Sequence, residues 1–123
     1  MPRTSTTFDF GKPVAYDAAA KRLFHSRARS QLRRLATTLG LASGSYDLRS
    51  NPAGIAVSGE ITLHTECLYV QASQSVMGNA NGILFRTCKG RKDYVGGSNN
   101  FASLDLLNRP EELAQQIRER CHV

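Results

Sequence analysis

Residues 17–39, DAAAKRLFHSRARSQLRRLATTL, contain no Pro or Gly, are rich in Ala, Leu and Arg, and stop at Gly40. A run of good helix formers closed by a glycine where a C-terminal cap would sit reads as one long α-helix. Ala20, Phe24, Ala28, Leu32, Leu35 and Leu39 recur at steps of three and four, so they fall on one stripe that must face a core. Asp17 suits the N-terminal end by charge. At 1.5 Å per residue the helix is roughly 33 Å long, the width of a small domain. The rest of the chain has to supply the other side of that core.

Beyond Gly40 the apolar spacing changes to a period of two. Tyr46 to Ser50 reads as a first strand, and Asn51, Pro52, Ala53 and Gly54 as the turn after it. From Ile55 to His64 the residues alternate, with Ile55, Val57, Ile61 and Leu63 on a buried side and Ser58, Glu60, Thr62 and His64 on a wet one. Gly59 takes an inward position and is expected at a bulge or under the helix. Thr65 and Glu66 connect tightly into a strand from Cys67 to Ser73, with Leu68, Val70 and Ala72 buried. Gln74 to Gly82 reads as a loop and Ile83 to Cys88 as a strand. Lys89-Gly90-Arg91-Lys92 then turns into a short strand around Asp93 to Val95, and Gly96 to Asn100 form a second polar loop. Pro110 followed by Glu111 and Glu112 opens a C-terminal helix with Leu113, Ile117 and Cys121 as its stripe. The expected fold is α+β, a long N-terminal and a short C-terminal helix packed on one face of a four- or five-stranded antiparallel sheet.

A chain of 123 residues with 41% hydrophobic residues can bury one core and has no linker to divide it. Residues 8–123 are therefore expected to form one domain, preceded by a flexible N-terminus, residues 1–7 (MPRTSTT). The three cysteines, Cys67, Cys88 and Cys121, are odd in number and irregularly spaced, which suits a reducing compartment better than a disulfide framework. No apolar run is long enough to cross a bilayer, and the N-terminus lacks a secretory pattern. A cytoplasmic location without a membrane partner is the expectation.

The formal charge is +6, from 16 Lys and Arg against 10 Asp and Glu, and its distribution is uneven. Lys21, Arg22, Arg27, Arg29, Arg33 and Arg34 lie on the first helix with no acid between Asp17 and Asp47. By helical angle Arg22, Arg29 and Arg33, with His25, flank one side of the apolar stripe, and Arg27 and Arg34 flank the other. Like charges at such spacings repel, so an anionic companion outside the helix is expected. A second cluster, Arg86, Lys89, Arg91 and Lys92, falls on the hairpin near Tyr94, Asn99 and Asn100. Arginine holds phosphate through a planar fork, and a helix flank plus a basic hairpin makes a workable footprint on a nucleic-acid backbone. That footprint requires the two clusters to face outward together. The bland alternative is a solvated surface paired with the chain's own acids. In outline the helix, strands, helix order is similar to a double-stranded RNA-binding domain. That family opens its last helix on a basic motif, whereas Pro110, Glu111 and Glu112 would repel phosphate here, and the chain is not assigned to it.

No cofactor is expected. His64 and Cys67 have ligand-like spacing, and Cys88, Cys121 and His122 could add to them, but structural zinc normally needs a second close pair, so no metal site is assigned. Glu60 and His64 share the outward face and could act on a phosphodiester with Glu66 and a cysteine, yet alternation alone places polar residues there, so no catalytic residue is assigned. The glycines lack phosphate-loop spacing. The expected function is a small basic accessory protein that binds nucleic acid or a nucleoprotein complex through phosphate contacts. The alternative is a non-catalytic inhibitor module of anti-restriction or anti-CRISPR type, docking by protein–protein interaction on an acidic surface. A phosphodiester hydrolase ranks last. A free sheet edge near Tyr46 or Tyr94 leaves a homodimer open.

Overall fold

The computed structural model describes residues 8–74, 79–94 and 96–122. The flexible N-terminus expected over residues 1–7 lies outside them. Helix α1 spans Ala18–Thr38, and its first turn is capped as the sequence requires: the Asp17 carboxylate accepts a hydrogen bond from the Ala20 N–H at 3.0 Å. Phe24, Ala28, Leu32 and Leu35 are buried on one side of it, the stripe read from the spacing.

Five strands follow, β1 (Tyr46–Asn51), β2 (Glu60–Thr65), β3 (Leu68–Ser73), β4 (Ile83–Thr87) and β5 (Asn100–Ala102). They form an antiparallel meander in the order β1-β2-β3-β4-β5. A 3₁₀ turn, Leu104–Asn108, leads into α2, Pro110–Cys121, which starts on Pro110 with Glu111 and Glu112 in its first turn. The fold is thus α+β with an N-terminal helix, a short C-terminal helix and a five-stranded antiparallel sheet.

Both helices lie on one side of the sheet. Helix α1 packs over β1 and β2, while α2 lies against α1 and touches β4. The core between them joins Phe24, Leu32 and Leu35 of α1 to Ile61, Leu63, Val70, Ala72, Ile83 and Phe85 of the sheet and to Leu113 and Ile117 of α2. Because strand residues alternate, Asp47, Arg49, Glu60, Thr62, His64, Tyr69 and Arg86 are left on the opposite, outer face. The β2–β3 connection is as tight as expected. The Thr65 hydroxyl oxygen accepts from the N–H groups of Cys67 and Leu68, at 3.1 and 2.9 Å, and closes the turn.

Three expectations are corrected. The strand read from Ile55 begins at Glu60; Ile55 is 69% exposed and Val57 is exposed as well. Gly59 is the cause. It sits at φ +74° where a Cβ would collide with the Asn51 carbonyl oxygen and the Pro52 backbone, so the chain bends there and the preceding residues leave the sheet. The close approach is to the end of β1 and not to α1. No strand forms over Asp93 and Tyr94, Val95 lying outside the described residues, because this segment crosses the outer face as a loop. The last strand comes later, β5, beginning inside the expected second polar loop. The edge strands are therefore β1, which carries Tyr46, and β5.

Candidate functional site

The solvent-facing arc of α1 carries five arginines, Arg22, Arg27, Arg29, Arg33 and Arg34. At about 100° per residue, Arg22, Arg29 and Arg33 form one row and Arg27 and Arg34 another. Between the rows lie the exposed Ser26, Ser30 and Leu23. None of the five arginines has an ion pair among the described residues, whose salt bridges involve only Arg49, Arg91 and Arg109. Arg27 lies 5.6 Å from the centre of the Phe8 ring. From Arg22 to Arg34 the face runs about 18 Å at the helical rise. Of the α2 acids, Glu112 lies 3.5 Å from Arg109 and Glu119 accepts from Gln115.

Lys21 and His25 turn inward from this face. The Lys21 ammonium donates to the Gly54 carbonyl at 2.8 Å, and His25 Nε2 is 2.7 Å from the Ser58 carbonyl. Both tie the 54–59 segment to α1. His25 was expected beside Arg22, Arg29 and Arg33, but it is buried and spent on this contact. An apolar groove of about 620 Å³ opens here between α1 and the β1–β2 loop, with Ala18, Pro52, Ala53 and Ile55 as its apolar lining and Lys21 and Arg22 at its side.

The basic hairpin does not join the helix. Arg86, Arg91 and Tyr94 sit on the outer face of the sheet, and α1 packs on the inner face, so the sheet separates the two clusters. Two of the four hairpin cations are also already matched. Arg91 lies 3.5 Å from Asp47 and 3.1 Å from Glu66, and donates to the Gly44 carbonyl at 2.7 Å. Arg86 is only 8% exposed; its guanidinium stands 4.3 Å over the centre of the Tyr69 ring and donates to the Tyr94 carbonyl. Lys89 and Lys92 remain exposed. The single outward-facing footprint expected from both clusters is therefore not formed: the five α1 arginines lie on one side of the sheet, and Lys89 and Lys92 belong to the hairpin on the other.

The hairpin instead covers a polar cluster that alternation alone had marked as wet. His64 is 0% exposed, enclosed edge-on by Tyr69 and Tyr94, whose ring centres lie 5.0 and 5.3 Å away. Its Nδ1 is 3.2 Å from an Arg49 guanidinium nitrogen. Arginine can only donate, so Nδ1 must accept and the ring is neutral with its proton on Nε2. Burial, reinforced by the Arg49 charge, pushes the His64 pKa below its ordinary 6.5, and the Gly90 carbonyl and Asp47 only partly oppose this. Arg49 also donates to the Tyr94 hydroxyl and to the Arg91 carbonyl, and lies 3.6 Å from Asp47. The Asp93 carboxylate accepts from the Lys89 and Gly96 N–H groups at 2.9 and 3.1 Å and holds the loop in shape. Burial, then the Glu60 carboxylate, raises the Tyr69 pKa.

Glu60 and His64 share this face, but the expected approach between them does not occur. They stand four residues apart on one strand with Thr62 between, about 13 Å at the strand rise. Cys67, Cys88 and Cys121 converge with His122 around a cavity of about 510 Å³ at one end of the sheet. Among the described residues no group of three or more His, Cys, Asp or Glu is placed to hold a metal ion. Burial raises the pKa of the Cys88 and Cys121 thiols. No described helix is long and apolar enough to cross a membrane.

Sequence reasoning missed Arg49 and Asp47, which anchor the loop, and the partnership of Arg86 with Tyr69. The usable signal was the period of two: Asp47, His64, Tyr69 and Arg86 are successive cross-strand partners on one face. No protein-family model, curated protein or solved structure matches the chain.

Proposed function

We propose that the protein binds a nucleic-acid backbone through the outer arc of α1. The observation that carries this reading is the pair of arginine rows, Arg22, Arg29 and Arg33 on one side and Arg27 and Arg34 on the other, with no carboxylate partner among the described residues. A duplex carries one phosphate charge per about 1.7 Å of axis, so about ten phosphates lie within the about 18 Å length of this face, enough for one per arginine. The two rows diverge around Ser26 and Ser30, small residues that let a backbone come close. The planar guanidinium fork matches phosphate geometry, so less is lost per hydrogen bond formed than with a lysine.

The test is fluorescence anisotropy with a labelled duplex oligonucleotide at low salt. Arg29→Gln/Arg33→Gln should weaken binding at least about tenfold, while Arg91→Gln, whose guanidinium is committed to Asp47 and Glu66, should leave it within about twofold. Equal losses in both variants would overturn the reading. A second reading, docking on a protein, is favoured by the apolar groove beside Lys21 and Arg22 with its exposed Ile55. Pull-down from a nuclease-treated lysate separates them: a partner kept only by Ile55, and lost on Ile55→Ser, supports protein docking.

A further inference from the structure

On the outer face of the sheet, across from α1, a cavity of about 210 Å³ is lined by Arg49, Asn51, Glu60, Thr62, Tyr69 and Tyr94. Its groups are not equivalent. The Glu60 carboxylate has no hydrogen bond or ion pair among the described residues, although Arg49 lies only diagonally across from it in the β1–β2 register. Arg49 is turned away toward Asp47, His64 and Tyr94 and so does not neutralise it. Tyr94 is 56% exposed, with one side of its ring held by His64 and Tyr69. The cavity therefore offers aromatic surface and two acceptor oxygens on one wall, while the Arg49 guanidinium on the other is already engaged by Asp47, His64, Tyr94 and the Arg91 carbonyl.

These walls select a ligand. An anion would meet Glu60, and a cation would meet Arg49 with Arg86 behind it, so a neutral group is favoured. An aromatic lining suits a flat ring that can stack. Glu60 requires two adjacent N–H donors on one edge of that ring. Among nucleobases, guanine alone presents two such donors on adjacent atoms: its N1–H and N2–H face a carboxylate. Adenine would set its N1 lone pair against Glu60. We propose that this cavity is a guanine-binding site, formed by Glu60 and Tyr94. It lies on the far side of the sheet from the α1 arginines and stands or falls without them.

Calorimetric titration of the full chain with guanosine 5′-monophosphate and adenosine 5′-monophosphate tests this, because the two ligands share their phosphate and differ only in the base. Saturable guanine-nucleotide binding is expected, tighter than that of the adenine nucleotide by at least about tenfold, the size of one bidentate contact. Glu60→Gln should abolish the difference, while Arg29→Gln/Arg33→Gln should leave it unchanged. Amide resonances of residues 49–51, 60–62 and Tyr94 should shift on titration, a readout that needs no variant. Absence of saturable binding, equal affinity for the two nucleotides, or shifts elsewhere would overturn the assignment.

Discussion

Three glycine-to-alanine substitutions separate conformational strain from steric collision and test why β2 begins where it does. Gly54 has nothing within 4 Å of where a Cβ would stand and no left-handed φ. Gly54→Ala should therefore be neutral or stabilise by about 0.4–1 kcal/mol, by restricting the unfolded chain. Gly40, just past α1, has equally open surroundings but φ +77°, so Gly40→Ala should cost about 1–2 kcal/mol for left-handed alanine alone. Gly59 combines φ +74° with a collision against the Asn51 carbonyl oxygen and two Pro52 backbone atoms. Backbone cannot step aside as a side chain can, and a further 1–3 kcal/mol, roughly, follows for the forced shift. Gly59→Ala should thus lose about 2–5 kcal/mol, a fall in Tm of about 10–20 °C for a chain of this size. Urea unfolding followed by circular dichroism gives the three values on one scale. If Gly59→Ala matched Gly40→Ala, the bend at Gly59 would not be what ends the sheet and exposes Ile55.

Two further outcomes follow from buried titratable groups. His64 is neutral in the fold with a pKa below 6.5, whereas the unfolded chain takes up a proton there at its ordinary value, so the unfolded state gains protons first as pH falls. Its contribution is complete above pH 6.5 and is lost on acidification below that. Urea midpoints should decline from pH 7 toward pH 5 in the parent and more gently in His64→Gln, and parallel profiles would contradict the neutral assignment. Cys67 is exposed while Cys88 and Cys121 are buried with raised pKa values. One thiol per chain should react quickly with an aromatic disulfide reagent at pH 8 and three after denaturation; three fast thiols in the native protein would refute the packing at that end of the sheet.

Helix α1, helix α2 and the inward side of β3 were legible because each rests on a local period and a local stop signal: Asp17 and Gly40, Pro110, and the Thr65 turn. Ile55 and Val57 were misread because alternation carries no information about the φ of Gly59, which is decided by its contact with Asn51. Strand β5, three residues long, is too short for any period. The arginine rows of α1 follow from helical angle alone, so they were legible. The fate of Arg86 and Arg91 was not, since counting charges cannot tell a free cation from one already stacked on Tyr69 or bridged to Asp47 and Glu66. Those partners lie 17 to 44 residues away and meet only through sheet register. The covering of His64 by Tyr94 was hidden for the same reason.

The most direct test of the α1 reading is the salt dependence of duplex binding. Five neutralised phosphates give a slope of log affinity against log salt of about −4.5, so affinity should fall about 500-fold between 50 and 200 mM. With Arg29→Gln/Arg33→Gln three contacts remain, the slope becomes about −2.7, and the fall shrinks to about 40-fold. A slope near zero, or one identical in the parent and the double variant, would contradict the claim that this arginine face is where the protein holds its polyanion.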